Sequence, residues 1–238
     1  MKLLRPVCVC AVLLLLAGTA GAQTPGRQDG EQWISYRDAY RAMIWFDKYG
    51  KPKNFLQMHY QLVPKDGGTT LEGVRLTLYG KTSQLNLPLD ATGRAMFPLL
   101  KAAYDENAEL VVNRKPGQFR FAPRVSIVHR PDGSYEAADL RAACEQALAF
   151  QRYVDVGALR ARQCVGVRFS FSKTGAEPNV RFRKSERESL ALPAGEGAPF
   201  PDQLGESVRI ATYRFADWPE KGQLTSPNPP LAIAPLFE

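Results

Sequence analysis

Residues 139–184 read DLRAACEQALAFQRYVDVGALRARQCVGVRFSFSKTGAEPNVRFRK, and the change of period inside them decides the fold. In the first half Leu140, Ala143, Cys144 and Ala147 fall at the i, i+3, i+4, i+7 spacing of an amphipathic helix, and Phe150 and Val154 prolong the stripe. Asp139 stands where it caps this helix, and Arg152 lies in its last turn, where a cation complements the helix dipole. In the second half the period falls to two. Val165, Val167, Phe169 and Phe171 alternate with Gly166, Arg168, Ser170 and Ser172, and after a loop Val180 and Phe182 alternate with Arg181 and Arg183.

The same stretch holds Cys144 on the buried helix face and Cys164 at the start of the first strand. A disulfide between them ties helix to strand and, by the chain-entropy argument, contributes on the order of 3 kcal/mol. Two buried free thiols are the alternative, and it fits an exported chain less well.

Upstream, Ser35 precedes Tyr36, Ala39, Tyr40 and Met43, with Asp38 at capping-box spacing, which predicts a helix over 36–48 ended by Gly50 and Pro52. Leu56, Met58, Tyr60 and Leu62 alternate with Gln57, His59 and Gln61, a half-buried strand with its histidine on the polar face. Val74, Leu76 and Leu78, then Leu85, Leu87 and Leu89, continue an antiparallel meander. Pro98 suits the first position of a short helix over 98–106. Leu110 to Val112 form a brief buried strand. Phe119, Phe121, Val125 and Ile127 form another, in which Pro123 requires a sheet edge or a bulge.

Downstream, residues 185–207 turn to Pro, Gly and acids, a long loop without periodicity, before a last strand over 208–215. The end of the chain, 217–238, carries Pro219, Pro227, Pro229, Pro230 and Pro235 and reads as an extended tail. Its apolar close, Leu231 to Phe237, is able to pack along the domain.

The chain opens MKLLRPVCVCAVLLLLAGTAGAQ, with Lys2 and Arg5 before an apolar run and small residues at Ala20, Gly21 and Ala22. That is the pattern of a signal peptide over 1–22, cleaved near Ala22. The expected organisation is therefore a signal peptide, a flexible leader over 23–32, one domain over 33–216 and the proline-rich tail, in a periplasmic or secreted protein without a transmembrane segment. The net charge of +7, less Lys2 and Arg5, is modestly basic and favours anionic surfaces. Nucleic acid is not an expected partner of an exported chain with so small an excess.

Catalytic patterns are sparse. The 2 histidines, His59 and His129, stand in no metal-ligand spacing, so no metal or cofactor is expected. There is no Gly-x-Ser-x-Gly elbow and no phosphate-cradling loop, since Gly195, Glu196 and Gly197 run into Ala198 and Pro199. No catalytic residue is assigned.

The arginines carry the one functional pattern. If the strands of Val167 and Val180 pair as a hairpin, Arg168, Arg181 and Arg183 share a sheet face that Arg120 is able to join. Planar guanidinium groups in a row suit carboxylate, phosphate or sulfate groups, as in lipopolysaccharide, peptidoglycan or an acidic protein. A solvated face balanced by nearby acids is the simpler alternative.

The expected fold is α+β, a mostly antiparallel sheet or sandwich with two or three packed helices and one disulfide. The expected function is that of a non-catalytic envelope module binding an anionic or carbohydrate partner. Its rivals are a periplasmic hydrolase working through carboxylates or a histidine, and a structural protein that interacts through its tail.

Overall fold

The computed structural model describes residues 30–157, 159–185, 188–203 and 207–238. The expected signal peptide, and the leader up to residue 29, lie outside the described residues. The first strand, β1 (Gln32–Ser35), already includes the last leader residue, Gln32, whose side-chain amide is buried and donates to the Phe119 carbonyl at 2.6 Å. Then follow α1 (Tyr36–Lys48), β2 (Leu56–Pro64), β3 (Leu76–Tyr79), β4 (Gln84–Leu87), β5 (Arg94–Ala95), α2 (Lys101–Asp105), β6 (Glu109–Val112), β7 (Phe119–Ile127) and β8 (Ser134–Glu136). The second half contains α3 (Ala137–Val154), β9 (Cys164–Phe171), β10 (Arg181–Arg183), β11 (Ser189–Ala191), β12 (Ala194–Gly197), β13 (Val208–Arg214), β14 (Gln223–Thr225) and β15 (Ala232–Phe237).

The fold is α+β with antiparallel pairing, and its strands are shared among four small sheets. Their orders are β1-β6-β3-β4, β5-β2-β7, β11-β10-β14-β8 and β12-β13-β9-β15. Two main apolar clusters lie between them. One joins Tyr36, Ala39 and Met43 of α1 to Leu62, Leu76, Leu78 and Leu110; the other joins Leu140, Ala143 and Cys144 of α3 to Val167, Phe169, Phe182 and Tyr213. The inward positions are therefore those that the helical and strand periods single out. Leu85 and Val154 are exceptions: Leu85 stays 42% exposed on the edge strand β4, and Val154, expected to prolong the stripe of α3, is 52% exposed at the end of that helix.

α1 spans the expected residues, but both long helices are capped differently from the expectation. Neither Ser35 nor Asp139 caps with its side chain, and α3 starts two residues earlier than Asp139. The Tyr36 amide donates to the Ala108 carbonyl and the Ala137 amide to the Gly222 carbonyl, each at 2.9 Å. A carbonyl from elsewhere in the fold thus satisfies an orphan donor that local side chains usually serve. Asp139 remains in the first turn, where its charge still favours the dipole.

The helix expected from Pro98 starts only at Lys101. The Tyr36 hydroxyl donates to the Pro98 carbonyl and accepts from the Leu100 amide at 2.8 Å, which holds residues 98–100 out of the helix. Pro123 does mark an edge, because β7 pairs only with β2.

Residues 185–207 are not one loop. β11 pairs with β10 and β12 with β13; their side chains are almost all exposed, so no apolar alternation announces them. The tail is likewise part of the fold. β14 lies between β10 and β8, and β15 pairs with β9, burying Ala232, Ile233 and Ala234 completely. Cys144 and Cys164 stand at disulfide-bonding distance with Cα atoms 5.9 Å apart, joining α3 to β9 as expected.

Candidate functional site

The expected hairpin does not form, because β9 and β10 belong to different sheets. Arg168 is half-buried: its Nη1 donates to the Ala198 carbonyl at 3.1 Å, its Nε has no partner, and burial lowers its pKa. Beside it the buried Ser170 hydroxyl donates to the Pro199 carbonyl at 3.0 Å, so residues 198–200 cover the face of β9 that its polar residues occupy. Arg181 is spent on Ser189, donating through Nη2 to its carbonyl at 2.7 Å, and Arg183 bonds Gln223. Arg120 stands apart, exposed on the edge strand β7. The four arginines form no row.

What the structure assembles in their place starts from a tight turn. The Asp90 carboxylate accepts from the Thr92 amide and hydroxyl and the Arg94 amide, and its second oxygen accepts from Arg94 Nε at 2.8 Å. Gly93 closes the turn at φ +77°, and a Cβ there would stand 2.5 Å from the Leu62 carbonyl oxygen. The turn delivers Arg94, only 3% exposed, against Ser126 Oγ at 3.0 Å and the Leu231 carbonyl at 2.5 Å. One cation thereby binds β5, β7 and the segment leading into β15. Next to it Gln61 is wholly buried, donating to the Thr92 carbonyl and accepting from Arg124 Nε at 2.7 Å.

His59, opposite Arg124 in the β2–β7 register, lies against this network. Its pKa is lowered to about 4, chiefly by burial and then by Arg94, against an opposing effect of Asp90, with His129 adding the least. His129 is also lowered by burial and by Arg94. On the polar face of β2 Gln61 is wholly buried, whereas Gln57 and His59 are only partly so, and the face is thus partly covered rather than freely solvated. Ser126 is wholly buried and its hydroxyl is engaged by Arg94, so the arrangement presents no serine nucleophile to a substrate. Among the described residues no group of three or more His, Cys, Asp or Glu is placed to hold a metal ion.

A cleft of about 890 Å³ opens beside Arg124. β7 is the edge of one sheet and β15 the edge of another; they lie against each other, and residues 122–125 of the first and Ala234, Pro235 and Phe237 of the second line the space. A proline in each, Pro123 and Pro235, removes a backbone donor from these edges, so the cleft is poorly suited to adding a strand. Its apolar lining includes Met58, Val125, Phe150 and Phe237, with Trp45 of α1 and Val154 of α3 at the wall. Phe46 and Tyr49 meet Phe150 edge-on, each with ring centroids 5.2 Å away, and so fix α1 against α3.

Charge enters at the rim. Arg124 is held by Asp202 at 2.7 Å and stacks over Phe200. Arg120 and Arg162 line the same cleft and are exposed; among the described residues neither guanidinium has an ion-pair partner within bonding distance. Arg152 donates through Nε to the Leu159 carbonyl at 3.2 Å and through Nη2 to the Arg162 carbonyl at 2.5 Å, which pins this loop to the end of α3. Of the arginines singled out in the sequence, only Arg120 belongs to this cleft. Arg162 and Trp45 went unrecognised as site residues, although Trp45 does fall off the apolar stripe of its helix. No protein-family model, curated protein or solved structure matches the chain.

Proposed function

We propose that the protein is an exported, non-catalytic binding module, periplasmic or secreted, whose cleft between β7 and β15 takes an anionic amphiphile. The observation that carries this reading is the pairing of an apolar floor with two exposed arginines, Arg120 and Arg162, that make no ion pair within bonding distance among the described residues; Glu238 acts on Arg162 electrostatically, but its carboxylate is already held by Arg214. An acyl chain is matched to Met58, Val125, Phe150 and Phe237, and its carboxylate or phosphate to a guanidinium fork. Of the two partner classes suggested by the sequence, anionic and carbohydrate, the cleft favours the first. A sugar needs several convergent hydrogen-bonding side chains, and the lining offers little beyond Gln151 and the two aspartates, Asp155 and Asp202.

The test is fluorescence quenching by a brominated medium-chain fatty acid held below its micelle concentration. Quenching of Trp45, at the cleft wall, with Trp33 and Trp218 unaffected, supports the reading. Quenching that survives Trp45→Phe contradicts it.

A further inference from the structure

The apolar surface does not stop at the cleft. Trp45 and Val154 line it; the Tyr153 ring meets Trp45 edge-on at 5.6 Å, and Val156 follows two residues beyond Val154. These four side chains are 47%, 52%, 45% and 70% exposed in the order Trp45, Val154, Tyr153, Val156, so the wall of the cleft continues outward as an apolar patch. Lys48 lies one turn along α1 from Trp45, and Arg160 and Arg162 lie in the loop that Arg152 pins to α3; all three are exposed.

We infer that this rim is a docking surface for an anionic phospholipid bilayer, through which the cleft exchanges its amphiphile. The inference rests on the proposed function. A tryptophan and a tyrosine with apolar bodies and polar tips, beside a valine pair, suit the depth of the headgroups. Lys48, Arg160 and Arg162 supply the charge that an anionic headgroup layer complements, against Asp47 and Asp155 nearby and Glu238, whose carboxylate is already bonded by Arg214. Among the described residues no helix is long and apolar enough to cross a membrane, and the patch needs only to lie on one. Because Val154 and Trp45 belong to both surfaces, an acyl chain passes from bilayer to cleft without crossing water.

The test is co-sedimentation of the full chain with phosphatidylcholine vesicles, with and without phosphatidylglycerol, alongside titration with monomeric decanoate. The expected result is retention only on the anionic vesicles. Changing Val156→Ser and Arg160→Ser, neither of which lines the cleft, lowers that retention, by about fivefold for the arginine, while decanoate affinity stays unchanged. Equal retention on both vesicle types, no retention on either, or self-association through the patch in the absence of vesicles overturns the inference. Retention on anionic vesicles together with no decanoate binding overturns the proposed function and leaves the docking surface standing.

Discussion

The guanidinium of Arg124 lies 4.6 Å from the ring centroid of Phe200, and Arg94 approaches the same ring at 5.5 Å. Phe200 is 1% exposed and packs on Ala232 and Ala234 of β15. One aromatic side chain therefore seats the covering segment 198–202 and separates the buried polar network from the open cleft. Cation–π contacts of desolvated arginines add to the burial of the ring. Phe200→Ala is expected to cost about 3 kcal/mol of stability, measured by urea denaturation, and Phe200→Leu clearly less.

Arg94 is the joint of that network. Removing its side chain leaves Ser126 Oγ and the Leu231 carbonyl without their donor, while the partly exposed Asp90 carboxylate keeps the Thr92 amide and hydroxyl and the backbone amide of residue 94. A buried acceptor left without its donor costs about 1–3 kcal/mol, and two are left here, so Arg94→Ala is expected to lower the urea midpoint more than any single change to Arg120, Arg181 or Arg183. A midpoint within error of the unmodified chain would show that the network does not hold β5, β7 and β15 together.

Acid stability follows from the histidines. His59 has its pKa lowered to about 4 from 6.5, and His129 is lowered as well, so between those values the unfolded chain binds more protons than the folded one. Stability therefore falls as pH drops from about 6.5 towards 4. Their part of the pH slope is expected to disappear in the His59→Asn, His129→Asn double variant. Denaturation midpoints across this pH range supply the check.

Thiol counting on the denatured, unreduced chain with its first 22 residues removed is expected to find no free thiol, and reductant to release those of Cys144 and Cys164. Replacing both by Ser is expected to cost about 3 kcal/mol. Free thiols without reductant would refute the covalent link between α3 and β9.

Much of the fold is legible in the residues because burial follows period. The stripes Tyr36, Ala39, Met43 and Leu140, Ala143, Cys144 are buried as read, and so are Val167, Phe169 and Phe171 of β9. The failures have one cause, which is that a partner distant in sequence decides. Ala108 and Gly222 supply the helix caps, and Tyr36 delays α2. Pairing with β10 and β13 makes strands of the polar segments β11 and β12, and β9 recruits the tail.

The arginine row failed for the same reason. Alternation tells which side of a strand a residue occupies and leaves open which strand lies beside it. Arg168 and Arg181 have the expected alternation and sit in different sheets. Arg120, in contrast, needed only an edge strand to reach the cleft, and Pro123 signals that edge in the sequence.

The central claim is that the cleft selects an anionic amphiphile through Arg120 and Arg162. Its most direct test is the ratio of dissociation constants for dodecyl phosphate and dodecanol, both monomeric, measured by calorimetry on the unmodified chain and on the Arg120→Ser, Arg162→Ser variant. The claim predicts a preference for the phosphate that falls by about tenfold for each charge-assisted hydrogen bond lost, with the affinity for dodecanol unchanged. Equal affinity for the two ligands in the unmodified chain, or a preference that survives loss of both arginines, would contradict it.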